Sequence, residues 1–201
     1  MLGELPPDAG LGLNNEAKLA KEMADALKVA METNPLLGSQ GTPLDPAVLF
    51  GDDRPSGPTR ISVINFVGLI DLEAQRHFLN QLAMTLFSWI KKNPNPGPRP
   101  LRGLLVIDEA KDFVPSLKAS ACKESLMRLV AQARKYHLGI VFATQNPKDI
   151  DHAIIANCST HFYGKVNSPA AIDVVKEQIA LKGGGGDDVA RLTRGRFYVH
   201  N

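Results

Sequence analysis

Arg102-Gly-Leu-Leu-Val-Ile-Asp-Glu-Ala110 is the stretch whose reading decides the fold. Four apolar residues, Leu104 to Ile107, run without interruption and stop at two adjacent carboxylates, Asp108 and Glu109. A short continuous apolar run reads as a strand buried on both faces of a parallel sheet. Open α/β sheets keep their ligands outside the carboxyl ends of their strands, and the two acids fall at such an end. Folding gains nothing from them there, because a buried carboxylate is costly unless it is paired or holds a metal.

Downstream of the acids, Pro115 and Ser116 punctuate a loop, and a helix is predicted from about Ala119 to Tyr136. Cys122, Leu126, Leu129, Val130 and Ala133 form its apolar stripe, and Gly139 ends it. Ile140-Val-Phe-Ala143 is the next buried strand, followed at once by Thr144-Gln145-Asn146-Pro147. A short helix over 150–156 leads to a strand at His161-Phe-Tyr163. Ser168 caps a further helix with Pro169 at its first position, running to about Leu181. Lys182-Gly-Gly-Gly-Gly186 is a flexible turn, and Arg196-Phe-Tyr-Val199 is the last strand.

Upstream, Asn93-Pro-Asn-Pro-Gly-Pro-Arg-Pro100 is a stiff connector into the acid-bearing strand. Before it, Asp71 begins a helix with Glu73 in its first turn and Lys91 and Lys92 in its last, each sign suited to the dipole. Phe78, Leu79, Leu82, Ala83, Leu86, Phe87 and Ile90 give it a broad apolar stripe. Arg60-Ile-Ser-Val-Ile-Asn-Phe-Val67 is rich in β-branched residues and reads as a strand. Residues 34–60 form a long mobile loop, and residues 15–33 an amphipathic helix capped by Asn14 or Asn15 and stopped by Asn34-Pro35. The expected organisation is one α/β domain over 1–201. Residues 1–60 give a helix plus the long loop and 61–201 the sheet core, with strands and helices alternating around a mainly parallel sheet.

Composition is that of an ordinary soluble globular protein, with 44% hydrophobic and 22% charged residues. A net charge of +2 does not by itself argue for nucleic acid. Cys122 and Cys158 show no framework spacing, so reduced thiols and a cytoplasmic location are expected. No apolar stretch is as long as a membrane span, and the amino terminus lacks the regions of a signal peptide. The histidines at 77, 137, 152, 161 and 200 have no metal-ligand spacing. Lys148, Lys165, Arg191, Arg194 and Arg196 read as a solvated face, with a DNA-facing or subunit surface as the alternative.

Leu-Leu-Val-Ile-Asp-Glu fits a Walker B strand, in which Asp108 helps hold Mg²⁺ through water and Glu109 activates the water that attacks a γ-phosphate. A strand capped by Asp is the other reading of those six residues. Thr144 and Gln145, at the same edge of the next strand, can contact the γ-phosphate and orient the attacking water. A turn built by Thr144, Asn146 and Pro147 is the alternative there.

Three segments in this order, LLVIDEAKDFVP, AQARKYHLGIVFATQNPKDID and NCSTHFYGKVNSP, resemble the HerA/FtsK group of ATPases, especially the HerA-like branch. The resemblance implies a RecA-like sheet flanked by helices, ATP and Mg²⁺ as ligands, and a hexameric ring that moves double-stranded DNA as a translocase or helicase. It leaves a nuclease partner open. It also nominates Arg134, at the end of the helix between the two strands, as an arginine finger reaching the neighbouring subunit's nucleotide. A guanidinium is always charged and can neutralise charge developing on the γ-phosphate. A cation at a helix C-terminus is the plainer alternative, although Lys135 already fills that role.

No G-x-x-x-x-G-K-[ST] phosphate loop occurs in the sequence; Gly183 to Gly186 is followed by Asp187 and Asp188 where a Lys and a Ser or Thr are needed. The chain therefore reads as the C-terminal part of an ATPase core, incomplete at its Walker A side, and inactive by itself. Either it is a piece of a full motor, or it is a truncated, non-hydrolysing paralogue acting as a nucleotide-binding or assembly subunit. An α/β enzyme using the two acids on another metal-bound substrate is the third reading.

Overall fold

Strands β1 (Gly103–Ile107) and β2 (Leu138–Phe142) run parallel, with Gly103 opposite Leu138 and Ile107 opposite Phe142. They are the heart of the computed structural model, which describes residues 16–33, 44–52, 58–94, 101–181 and 183–201. The chain divides into two units, Met1–Leu44 and Asp45–Asn201. In the first, helix α1 (Glu16–Thr33) exposes Leu19, Met23, Leu27 and Met31 at helical spacing. Its expected caps at Asn14 or Asn15 and at Asn34-Pro35 lie outside the described residues.

The second unit is a parallel sheet flanked by helices. Between the strands runs helix α4 (Lys123–Ala133), and before β1 comes α3 (Leu72–Lys92), capped by Asp71, whose carboxylate accepts from Ala74 N–H at 3.0 Å. The predicted stripes are what these helices bury: Leu79, Leu82, Ala83, Leu86 and Ile90 from α3, and Leu126, Leu129 and Ala133 from α4. With Ile107 and Leu138 they form the core, each buried Leu or Ile side chain contributing about 1.5–3 kcal/mol relative to exposure. Among the described residues no helix is long and apolar enough to cross a membrane.

Two expectations for the strands fail. β1 is not buried on both faces: Leu105 and Ile107 turn toward the helices, while Leu104 and Val106 are 54% and 58% exposed. α3 and α4 cover one face only, and Val141 of β2 lies open beside Val106. Residues 60–67 alternate as a strand should, with Ser62, Ile64 and Phe66 half-buried and Ile61, Val63 and Val67 exposed, yet they pair with no described strand. Side chains hold the segment instead. The Ser62 hydroxyl donates to Leu49 O at 3.0 Å, and the Phe66 ring packs on Phe78 and Phe113.

Inside the expected long loop sits a short helix, α2 (Pro46–Phe50). Its signals were local: Asp45 as cap, Pro46 at the first turn and Gly51 in the left-handed region at φ 75°. Phe50 stacks on Trp89 and lies so close to Gly103 that a Cβ there would be 2.4 Å from its ring. Arg102, next to that contact, lies 4.2 Å over the Trp89 ring and 2.5 Å from Asp52. These contacts tie the amino end of β1 to α2 and α3.

After β2 come α5 (His152–Asn157), β3 (His161–Tyr163), α6 (Pro169–Ala180) and β4 (Tyr198–His200). Ser168 caps α6, accepting from Ala171 N–H at 3.2 Å, and Pro169 opens it. β3 and β4 pair antiparallel as a separate ribbon. Tyr163 from the ribbon packs with Val175, Ile179 and Val189.

Candidate active site at the carboxyl edge of the parallel strands

The ladder between β1 and β2 continues past the last paired residues: Ala143 N–H donates to Ile107 O and Ala110 N–H to Ala143 O, each at 2.9 Å. This pins the backbone on both sides of Asp108-Glu109 to the backbone before Thr144-Gln145. Between the two bonds Glu109 adopts φ 49° and ψ 45°, the left-handed region. A non-glycine residue there costs on the order of 1 kcal/mol, and such strain collects at functional sites. The kink turns the chain from the strand into the 3₁₀ turn Ala110–Asp112 and aims the Glu109 side chain at the neighbouring strand end.

There the Gln145 side-chain amide donates to Glu109 Oε1. The other carboxylate oxygen, Oε2, is buried with no hydrogen-bond partner, and Lys111 Nζ stands 3.7 Å away. An orphaned buried oxygen is expensive to leave unmade, so this atom has unused capacity to accept a proton or a donor. Asp108 is exposed and spends Oδ1 on the N–H of Glu109 at 3.0 Å. Asp108 Oδ2 and Glu109 Oε2 thus remain without hydrogen bonds on adjacent residues. Mg²⁺ is commonly held by one or two carboxylates together with phosphate oxygens and water, and this donor set fits that half-site. Among the described residues no group of three or more His, Cys, Asp and Glu side chains is placed to hold a metal by itself.

The other two nominated residues stand apart from this pair. Thr144 Oγ1 is engaged in its own turn, donating to Asn146 O at 3.3 Å and accepting from Asn146 N–H at 3.2 Å. Arg134 follows α4 and precedes β2, so it lies toward the amino end of the strand whose carboxyl end carries Gln145. Five strand residues separate the two ends, about 16 Å, more than an arginine side chain spans. Arg134 is exposed, and its guanidinium has no partner among the described residues. It does not meet Glu109 of its own chain.

A polar scaffold holds the loops behind the pair. Ser116 N–H donates to Asp149 O at 2.8 Å, Asp151 N–H to Val114 O at 2.9 Å, and Pro115 bridges to Ile150. Lys123 closes the arrangement, 2.6 Å from Asp151 Oδ2 and donating to Pro115 O at 2.8 Å. The hydrogen bond from Lys123, with help from Ala153 N–H, holds the Asp151 carboxyl below the usual carboxylate range despite partial burial. From α3, buried Arg76 donates through Nε to Asp112 O at 2.7 Å and pairs with Glu73. It fixes the 3₁₀ turn that follows Glu109. Cys122 is fully buried, its thiol donating to Phe113 O at 3.3 Å, and burial pushes its pKa up.

Arg76, Lys111 and the Lys123–Asp151 pair were not singled out from sequence. Arg76 did leave a signal, since it lies three residues before Leu79, in line with the buried stripe of α3. A cation on an apolar stripe asks for a buried partner.

A family model described as Zonular occludens toxin (Zot) matches residues 61–174. Among solved structures, the genome packaging NTPase B204 from Sulfolobus turreted icosahedral virus 2 in complex with ATP-gammaS is 14% identical. That match covers 93% of this chain and 91% of that one, with a TM-score of 0.49. The same NTPase in complex with AMP is 17% identical over 62% of this chain, with a TM-score of 0.46, and the match spans 57% of that chain. Its AMPPCP complex is 17% identical, covering 62% of this chain and 60% of that one, with a TM-score of 0.42. No curated protein sequence matches the chain.

Proposed function

The chain belongs to the Zonular occludens toxin (Zot) family, of P-loop NTPase type, and we propose that it supplies the hydrolytic half of an ATP-driven DNA motor. The observation that carries this reading is the meeting of Glu109 with Gln145 across the carboxyl ends of two parallel strands, with Asp108 alongside. In the proposed reaction Glu109 takes the proton of the attacking water through Oε2, the oxygen that carries no hydrogen bond, and Gln145 holds carboxylate and water in line. Asp108 would hold Mg²⁺ through water, and that ion would neutralise phosphate charge. Thr144 sits one residue from Gln145 and would reach the phosphate after giving up its turn bonds. The phosphate-binding loop has no counterpart in the sequence and must be supplied from outside these residues.

The exposed Arg134, remote from its own Glu109, suits a finger that acts across a subunit boundary, and the assembly proposed is a hexameric HerA-like ring moving double-stranded DNA in the cytoplasm. Turnover in the motor is expected to fall at least about a hundredfold with Glu109→Gln while ATP still binds. Mixing Arg134→Ala with Glu109→Gln subunits should restore composite sites; no recovery at any ratio sinks the trans assignment. The chain by itself should show background turnover. Turnover abolished by Glu109→Gln in the isolated chain would mean that a phosphate site exists without Walker A. A second reading, a non-hydrolysing assembly subunit, is favoured by that missing loop, and it predicts a Glu109→Gln motor indistinguishable from wild type.

A further inference from the structure

Lys111 stands beside the proposed general base, on a backbone that leaves it little choice of place. The left-handed residue Glu109 leads into the 3₁₀ turn Ala110–Asp112, and Lys111 is the middle residue of that turn. Three bonds fix the turn. Ala110 N–H donates to Ala143 O and Asp112 N–H to Glu109 O, each at 2.9 Å, and Asp112 O accepts from Arg76 Nε at 2.7 Å. Ala110, just before the lysine, is fully buried. Lys111 Nζ lies 3.7 Å from Glu109 Oε2, and the two side chains are 35% and 34% exposed.

At that distance the ammonium is an ion-pair partner of the carboxylate but is too far away to donate a hydrogen bond. Oε2 is buried and stays without one, although a lysine carries three donors. A close bond would satisfy the oxygen and hold the lysine. This pair does neither, and partly exposed ion pairs are weak. The charges around the contact give its looseness a use. Asp108 and Glu109 put two acids where the phosphates of a nucleotide would arrive, and like charges repel until a cation intervenes. A lysine ammonium is a compact point charge on a flexible stem, and a terminal phosphate offers it more negative charge than a carboxylate does.

We propose that Lys111 couples the arrival of a nucleotide to the release of Glu109. Nζ rests on Oε2 until a terminal phosphate draws it away, and the oxygen it leaves is then open to the attacking water. One side chain thereby offsets the repulsion between acids and phosphates and keeps the base occupied when no phosphate is near. The four-carbon stem permits the exchange without moving the turn. The proposal rests on the ATPase reading of this site. An ordinary surface ion pair is the competing explanation, and it gives Lys111 no effect on nucleotide affinity.

Calorimetric titration with AMPPCP, an analogue that is not hydrolysed, reads the contact apart from turnover. The sample is the motor, this chain together with the part that carries the phosphate loop. Lys111→Met keeps the apolar stem, checked by circular dichroism, and should weaken AMPPCP binding about tenfold, while Lys111→Arg should stay within about threefold of wild type. Glu109→Gln removes the ion pair and should tighten binding. On the Lys111→Met background that gain should shrink by about threefold or more in a double-mutant cycle. Unchanged affinity in Lys111→Met, or the same gain from Glu109→Gln on both backgrounds, overturns the proposal. So does a Lys111→Arg variant as weak as Lys111→Met. Turnover tests the underlying reading separately. If Glu109→Gln abolishes hydrolysis while Lys111→Met leaves AMPPCP affinity untouched, the ATPase reading stands and the lysine contact fails. If the cycle is coupled but turnover does not depend on Glu109, the ATPase reading fails and the lysine contact stands as a binding device.

Discussion

Gln145 donates its side-chain amide to Oε1 of Glu109, joining residues 36 apart in sequence at the ends of two adjacent parallel strands. The bond occupies one carboxylate oxygen and leaves the other buried without a hydrogen bond, with Lys111 Nζ 3.7 Å away as its ion-pair partner. A carboxylate oriented through one oxygen and without a hydrogen bond on the other is the arrangement that the proposed general-base role requires.

Removing the orienting amide should therefore damage the chemical step more than nucleotide binding. In the motor, Gln145→Ala is expected to lower kcat about 10- to 100-fold with KM for ATP little changed. A rise in KM at constant kcat would instead assign Gln145 to binding.

The backbone of Glu109 makes a separable prediction. Glycine at this left-handed position relieves strain and also removes the orphaned oxygen, against a modest entropy cost of its own. Glu109→Gly should leave the chain at least as stable as wild type, by up to about 1 kcal/mol, while abolishing turnover in the motor. Urea unfolding with an unchanged m-value is the measurement; a loss of more than about 1 kcal/mol would mean that the side chain is structural.

The sequence made the strand-edge pair legible because its information is local: an apolar run followed by two acids, a second run followed by Thr-Gln, and a helix between them. Helix caps at Asp71 and Ser168 were legible for the same reason. What failed depended on distant parts of the chain. Whether Leu104 and Val106 are covered is decided by what lies on the far face of the sheet, not by their own hydrophobicity. Residues 60–67 carry the strand period, but period does not supply a neighbour to hydrogen-bond. Arg76 meets Asp112 across 36 residues, and no window on the sequence contains both.

Arg76 should behave as a positioning residue. Arg76→Leu keeps the apolar stripe of α3 but strands the Asp112 carbonyl and frees Glu73. A loss of about 2 kcal/mol is expected, together with a lower kcat in the motor at unchanged ATP affinity. Arg76→Lys should recover part of the stability, since the charge returns without the planar fork. Equal losses for both substitutions would contradict a role through the Asp112 carbonyl.

The Lys123–Asp151 pair sets an acid limb. Because Lys123 lowers the Asp151 pKa in the folded state, the ionised carboxylate is the form that folding favours. Its contribution is fully present above the unfolded carboxyl value, about pH 3.9, and is lost as pH falls through the lower folded value. Lys123→Met should be less stable than wild type at pH 7, and the difference should shrink below about pH 4. A difference that is constant from pH 7 to pH 2 would show that Lys123 acts by packing alone.

Gly103 tests how β1 is seated. A Cβ at this position would lie 2.4 Å from two atoms of the Phe50 ring, a distance that no real contact tolerates, so the ring or the strand must move. The ring is not free to move far, because it stacks on Trp89, which Arg102 covers from its other contacts with Asp52 and Asn93. Gly103→Ala is expected to cost about 1–3 kcal/mol. If the clash is the cause, shrinking the partner should relieve it: Gly103→Ala on a Phe50→Leu background should cost clearly less than on wild type, a coupling of at least about 0.5 kcal/mol in a double-mutant cycle. Additive losses would place the cost in the strand backbone, and would mean that α2 does not seat the amino end of β1.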